Sequence, residues 1–272
     1  MRKILRIYKP FTHAGFLLAA QYRVNFIFFV FGDIIRCFIS YFLWHAVFTS
    51  GGNNTFMGFS EVDMTVYIFI SFLTGIVAYS DGSYIVGEEI RDGNIAMRLI
   101  KPIRFDLAFL FQELGERTVT AMIIFVPMMA GVEIYKFVVT GAVGFNIWCF
   151  LLYLVSLILS YLINFYFNVC YGYSAFVLKN LWGSNLLKEC IVNFLSGGIV
   201  PLAFMPAGLG FVLNLLPFAS LTYIPVMIYL GMYDVPTILM SLGLQVFWLV
   251  FFIFLQRIIW NACVRRMSVQ GG

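Results

Sequence analysis

Seven charged side chains fall between residues 88 and 104, Glu88, Glu89, Arg91, Asp92, Arg98, Lys101 and Arg104, in a chain with only 17 basic and 13 acidic residues among 272. Carboxylates and guanidinium groups set side by side can pair with a partner surface of complementary charge, which gives docking its specificity. Asp33 and Arg36, three residues apart, would share one helix face and can form an ion pair. Ionisable groups deep in an apolar helix are costly and by default mark function, facing the bundle interior or a wet cavity. Three readings of this pair stay open: a substrate or gating role, a static ion pair, or a subunit contact. Glu113, Glu116 and Arg117 read as an interfacial salt-bridge network.

Catalytic chemistry finds no seat in the remaining residues. His13 and His45 lack metal-ligand partners, and cysteines 37, 149, 170, 190 and 263 show neither close pairing nor ligand spacing. In apolar runs such thiols behave as small hydrophobes. No nucleophile elbow gathers serine, histidine and acid, and no paired intramembrane aspartate motif occurs. Residues 195 to 199 read Leu-Ser-Gly-Gly-Ile, close to a nucleotide-binding signature, but the stretch lies in an apolar run and no GxxxxGK loop occurs in the chain. It does not bind ATP, and neither cofactor nor metal is expected on this polypeptide.

The elements that must position these groups are membrane helices. Apolar residues make up 62% of the chain, Phe alone numbers 31, and mean hydropathy is +0.93, whereas soluble domains are about 45 to 50% apolar. The apolar runs reach roughly 20 residues or more, enough to cross a hydrocarbon layer of about 30 Å, and lack the alternation of barrel strands. An all-α polytopic membrane protein of one domain, 1-272, follows, with crossings near 24–48, 64–83, 107–132, 143–175, 188–230 as a broken segment, and 236–260. No internal repeat or linker appears. The net charge of +4 fits membrane topology and not nucleic acid, because no basic soluble module exists to meet a phosphate backbone.

Before the first crossing, residues 1-21 begin like a signal peptide but merge into a longer run with no clear cleavage site, so they are expected to be retained. Arg2, Arg6, Lys9 and His13 recur along one face and Ile4, Leu5, Tyr8 and Phe11 along another. That pattern describes an amphipathic helix on an anionic membrane surface, which Pro10 must bend or split. A basic tail that only sets topology is the alternative reading.

Basic residues alternate from loop to loop: Arg2, Lys3, Arg6 and Lys9, then Arg91, Arg98, Lys101 and Arg104, then Lys179 and Lys188, then Arg265 and Arg266. The stretches 49–63 and 201–236 hold none, and the 133–145 loop holds only Lys136. Both termini and the 84-104 connection should therefore face the cytoplasm. Trp44, Trp182 and Trp260 fall near the expected interfaces, as an aromatic belt would place them. Asn53-Asn54-Thr55 matches a glycosylation sequon, a pattern too short to carry weight.

Asp81 or Ser83 can cap a short helix ending near Arg91, and Gly93 supplies the left-handed residue that stops one. A second brief turn, Ile95 to Lys101, ends at Pro102. The 84-104 segment thus reads as a structured elbow suited to docking, the bland alternative being a solvated loop. Gly197, Gly198, Pro201 and Pro206 break a membrane helix, tolerable only where the freed backbone is buried or lines a cavity. Such a break either marks a path or gate or is a structural kink.

The run Glu-Glu-Ile-Arg-Asp-Gly-Asn-Ile-Ala-Met-Arg-Leu-Ile-Lys-Pro-Ile resembles the cytoplasmic elbow of type-2 ABC exporter permeases, in the six-helix branch without a fused ATPase. Leu195 to Pro206 and Leu215 to Gly231 are similar to that family's broken fifth helix and outer re-entrant region, 197-218 here, and the ending Arg265 to Gly272 is similar to its tail. These matches run in order over residues 22 to 272. The resemblance implies that the elbow is a coupling helix, with Glu88, Glu89, Ile90, Arg91, Asp92 and Gly93 contacting a separate ABC ATPase subunit, present in two copies and binding ATP and Mg. Charges of both signs would give specificity and Ile90 an apolar anchor. It also implies a second permease, a related heterodimer partner or otherwise a homodimer, in a bacterial plasma membrane among membrane lipids. The cargo would be amphipathic or lipid-like, moved outward, with Asp33, Arg36, Gly197, Gly198, Pro201 and Pro206 as candidate gate or pathway residues. A proton-coupled secondary transporter would want clustered mid-membrane acids and internal repeats, and only Asp33 qualifies. A membrane-embedded lipid-modifying enzyme would want a polar catalytic cluster, and none is evident.

Overall fold

The fold was built as a computed structural model, which describes residues 2–21, 23–51, 55–100, 103–141, 145–178 and 180–266. Asn53, Asn54, Lys101, Pro102, Lys179 and the tail 267–272 lie outside the described residues. Helix α1 (Arg2–Gln21) precedes α2 (Arg23–Gly51), and a two-residue hairpin, β1 (Thr55–Phe56) with β2 (Phe59–Ser60), leads into α3 (Glu61–Val77). There follow α4 (Gly82–Arg91), α5 (Ile95–Leu99), α6 (Phe105–Thr120), α7 (Val126–Thr140) and α8 (Ile147–Gly172). The last third holds α9 (Trp182–Leu195), α10 (Ala207–Leu215), α11 (Tyr223–Tyr229) and α12 (Val235–Arg266).

Local chemistry sets several of these boundaries. At the head of α3 the Ser60 hydroxyl accepts the Asp63 N–H while the Asp63 carboxylate accepts the Ser60 N–H, both at 3.1 Å, a reciprocal cap. Asn146 caps α8 by accepting from the N–H groups of Trp148 and Cys149. Between α6 and α7 a π-helical turn, Ala121–Phe125, absorbs the hydrogen bond that Pro127 cannot make, so the two helices run on as one rod.

Five stretches are long and apolar enough to cross a membrane: Val30–Ser50, Glu61–Arg91, Phe105–Thr140, Ile147–Phe176 and Val235–Val264. They match five of the six expected crossings, with the second, third and last longer than expected. Glu61–Arg91 has 31 residues, but it is α3 and α4 joined by a turn, and α3 alone has 17 residues, about 25 Å at helical rise. Residues 188–230, expected as a broken crossing, hold most of α9 and all of α10 and α11, joined by turns.

Pro10 neither splits nor ends α1, contrary to expectation. The helix lies along α6, and this packing holds it through the missing hydrogen bond. Tyr8 is buried, stacks on Phe111 at 5.3 Å, and its hydroxyl accepts the Arg104 N–H at 3.0 Å. Arg6, Lys9 and His13 are exposed, as the amphipathic pattern requires. Phe105 stacks on Trp260 of α12 at 5.2 Å. Helix α1, the head of α6 and the last turns of α12 therefore gather at one end of the bundle. At the other end Phe204 packs edge-on against Phe56 and Phe59 and lies 5.2 Å from Trp44. Between the ends, every residue from Ala219 to Tyr229 is buried, with α11 packed on α8 and α3.

Candidate functional site

The elbow begins where α3 stops. Beyond Val77 the chain turns, and the Ala78 carbonyl accepts from the Asn164 side chain at 2.7 Å. Buried Glu113 receives the Ser80 hydroxyl and the Asp81 N–H, each at 3.1 Å. Arg117 reaches Asp81 at 2.8 Å and Glu113 at 3.7 Å. Glu113 and Arg117 thus form part of a salt-bridge network that brackets the α3–α4 turn, with Glu116 close enough to feel the Arg117 charge. Asp81 stands at the N-cap of α4, but its carboxylate accepts from Arg117 and from no backbone N–H of the first turn. Ser83 does not cap either: its hydroxyl accepts from Lys188 at 2.8 Å.

One face of α4 is buried against α8 through Gly82, Ser83 and Val86, while Gly87 meets Leu181. The helix stops at Gly93, whose φ of +75° is the left-handed conformation that glycine adopts without steric cost. The chain then returns as α5, anchored by buried Ile95. Arg98 clamps the two helices together, giving Glu89 a bidentate pair at 2.6 and 2.7 Å while its guanidinium lies 4.7 Å over the Phe109 ring. A fork-to-fork pair of this kind adds geometric rigidity to its charge attraction.

The six expected contact residues consequently divide. Glu88, Arg91, Asp92 and Gly93 are exposed, with Arg91 and Asp92 paired at 2.9 Å. Glu89 is committed to Arg98, and Ile90 packs partly buried against this chain's own core, so it is not a free apolar anchor. Two apolar residues that helical patterning passed over are open on the elbow: Met97 and Ile100 are 66% and 77% exposed. Beyond α4, a cleft of about 290 Å³ is lined by Tyr84, Glu88, Arg91, Asn180, Trp182 and Asn185. The signal that could have found this second wall is exposed Trp182 in a polar turn.

Lys188 stands behind the elbow. Expected in a loop, it is buried, donating to Ser83 on α4, to Asn168 on α8 and to Asn185 on its own helix, with its ammonium 4.8 Å from the Tyr171 ring. One side chain so ties the elbow helix to α8 and to the start of the broken segment. Three neutral oxygens and a ring face replace water around the charge.

At the break, α9 ends at Ser196 and Gly197 adopts φ +77°. A β-carbon there would lie 3.1 Å from both the Tyr67 hydroxyl and the Tyr223 side chain. Tyr67 donates to the Gly197 carbonyl at 2.6 Å and the Tyr223 N–H to the Ser196 carbonyl at 3.0 Å. Further on, the Ser220 carbonyl accepts from Ser160 at 2.6 Å and from Gln245 at 2.9 Å. The backbone freed by the break is therefore satisfied inside the protein, the condition that irregular chain at membrane depth requires. Gly197 and Pro201 are buried there, whereas Gly198 and Pro206 are exposed.

Asp33 and Arg36 do form an ion pair, at 3.0 Å, but with side chains 34% and 68% exposed they sit on the outward face of α2 and not in the bundle interior. The cause is that α2 packs mainly on α3 and leaves most of its surface uncovered. The pair also lies apart from the break: Phe204 meets α2 at Trp44, 11 residues beyond Asp33, about 16 Å along the helix.

Compared with protein families, the chain matches the model described as ABC-2 family transporter protein over residues 34–271. Compared with curated proteins and with solved structures, it matches none.

Proposed function

The chain is a multi-pass membrane protein that belongs to the ABC-2 family of transporter proteins, and on that premise we propose that it is the six-crossing permease subunit of an ATP-driven exporter, with α4 and α5 as the coupling element for a separate ATPase. The observation that carries this reading is the elbow itself. Two short helices, locked by the Glu89–Arg98 clamp and turned by Gly93, present Glu88, Arg91, Asp92, Met97 and Ile100 outward beyond the end of α3. A flexible connector would need no clamp.

Two ATPase subunits closing on ATP and Mg would draw two such elbows together and shift the permease pair from inward-accepting to outward-releasing. Motion entering α4 has two stiff routes onward. One runs through Lys188 to α9, and the other through the Glu113–Arg117 bracket to α6. The largely uncovered α2, carrying an ion pair that is costly against lipid, suits a face covered by a second permease. The broken segment, crossing as α9 to α11 with Gly197 and Pro201 at its bend, is the candidate gate. Its aromatic surroundings suit an amphipathic or lipid-like cargo. The end that gathers α1, the elbow and the tail of α12 is taken as cytoplasmic, in the plasma membrane of a bacterium.

Co-purification with an ABC ATPase tests the assignment. Arg91→Glu, Asp92→Arg and Met97→Asp are each expected to lower stimulation of that ATPase at least tenfold while the permease stays folded. Unchanged binding and stimulation in all three would remove the elbow from the mechanism.

A further inference from the structure

A second cavity, of about 280 Å³, opens at the end of the bundle where Phe105 and Trp260 stack. Arg98, Arg104 and Arg257 line it together with Asp106, Gln256 and Trp260. None of the elbow's exposed tip residues contributes to it. Glu89 pairs with Arg98, and Asp106 takes both a side and an end N–H of Arg104. Arg257 forms no ion pair among the described residues. Two carboxylates thus offset two guanidinium charges and leave the charge of exposed Arg257 without a protein counter-ion among the described residues. Each paired guanidinium also spends only two of its five N–H donors. The cavity therefore has a charge of one sign to satisfy and donors in excess.

The depth of the cavity narrows what could satisfy it. Phe105 opens the span Phe105–Thr140, and Gln256 to Trp260 lie in the last turns of the span Val235–Val264. The arginines stand where two spanning helices leave the hydrocarbon, with an aromatic pair as the apolar wall. Gln256 is buried, donates to the Tyr173 hydroxyl at 2.8 Å, and keeps an Oε1 without a partner among the described residues. An acceptor of that kind suits a hydroxyl donor. A singly charged phosphodiester carrying a hydroxylated headgroup meets all of these terms, and basic pockets between helices at a membrane interface are suited to such groups.

We propose that this cavity binds a phosphate group, presented by the headgroup of an anionic membrane lipid, with Arg257 as its principal charge partner. The site is independent of the ATPase assignment, and its lipid-binding test uses the permease alone, with ATPase co-purification as a separate control. The full chain would be purified in detergent with phosphatidylglycerol, phosphatidylcholine or inorganic phosphate added separately, and bound mass read by native mass spectrometry. One phosphatidylglycerol per chain is expected, retained at least fivefold over phosphatidylcholine. Arg257→Gln should abolish that preference, Arg257→Lys should keep part of it, and Arg91→Gln, outside the cavity, should keep all of it. Inorganic phosphate bound in an Arg257-dependent way, with no lipid preference, would support the phosphate site and assign its source to the free ion. Equal retention of both lipids with no phosphate bound, or equal loss in Arg91→Gln, would overturn the site. So would an Arg257→Gln variant that keeps the lipid but loses a co-purifying ATPase, since the arginine would then serve a protein partner. An unchanged melting temperature in each variant separates these outcomes from unfolding.

Discussion

Gly15 of α1 and Gly115 of α6 mark a crossing at which the two helices meet backbone to backbone. A β-carbon on Gly15 would stand 1.9 Å from the Gln112 carbonyl oxygen, and one on Gly115 would stand 2.1 Å from that of Thr12. Small residues allow this approach, which dispersion and packing reward in a membrane where helices gain little from the hydrophobic effect. Gly115→Leu should push α1 off α6. Alanine-like gains in helix propensity of about 1 kcal/mol are outweighed, because the clash is with backbone that cannot swing aside. Overpacking costs of about 1 to 3 kcal/mol set the expected loss, measured as a lowered melting temperature in detergent. An unchanged melting temperature would show that α1 does not sit at this crossing.

Amide exchange checks the elbow clamp without any partner. Removing one side of the part-buried Glu89–Arg98 pair, as in Arg98→Ala, leaves the other carboxylate without its fork. A charged hydrogen-bonded contact worth about 1.5 to 3 kcal/mol corresponds to exchange at least tenfold faster over residues 88 to 99. The charge-swapped double variant Glu89→Arg, Arg98→Glu should recover part of the protection. If exchange there is already fast in the parent chain, the elbow is not rigid.

Replacing Lys188 by Met keeps the bulk and removes the donor to Ser83, Asn168 and Asn185. Three buried acceptors then lose a partner, at about 1 to 3 kcal/mol each, partly offset by the relieved desolvation of the ammonium. A net destabilisation of about 2 to 4 kcal/mol is expected from these terms. Thermal unfolding followed by tryptophan fluorescence reads it, and a variant as stable as the parent would show that the cage contributes nothing.

Tyr67→Phe tests the break at modest cost. It deletes only the hydroxyl that holds the Gly197 carbonyl, so a loss of about 1 kcal/mol is expected. Gly197→Ala should cost more, since it adds crowding at 3.1 Å to a left-handed backbone. The reverse ranking in melting temperature would count against the geometry at the bend.

Sidedness follows from thiol labelling in a background with the five native cysteines replaced by serine. Asp92→Cys, at the exposed tip of the elbow, should react only after the membrane is opened. Met57→Cys, exposed in the hairpin at the other end, should react in intact cells. The opposite pattern would invert the topology and with it the docking assignment.

Much of the fold was legible in the sequence for a simple reason. A membrane helix declares itself by an unbroken apolar run, and five such runs became spans. Gly93 and Gly197 were legible as well, since each stops a helix in a conformation that few other residues tolerate. Burial around the elbow was harder to read. Ile90 looks like an anchor on a helical wheel, but which face of α4 is buried depends on α8, and that contact left Met97 and Ile100 as the exposed apolar pair.

Charged residues were the hardest to read. Lys188 carries the same letter as a loop lysine, and only Ser83, Asn168 and Asn185 around it make it an internal fastening. Asp81 has the side chain of a helix cap but meets Arg117, 36 positions later, and serves as a bracket instead. Sequence alone determined that this protein is a helical membrane bundle and where its chain must bend, because hydropathy and backbone sterics are properties of neighbouring residues. Tertiary structure alone decided which charges face inward, which pair, and which stand free, because partners for a buried charge are chosen by packing between helices far apart in the chain.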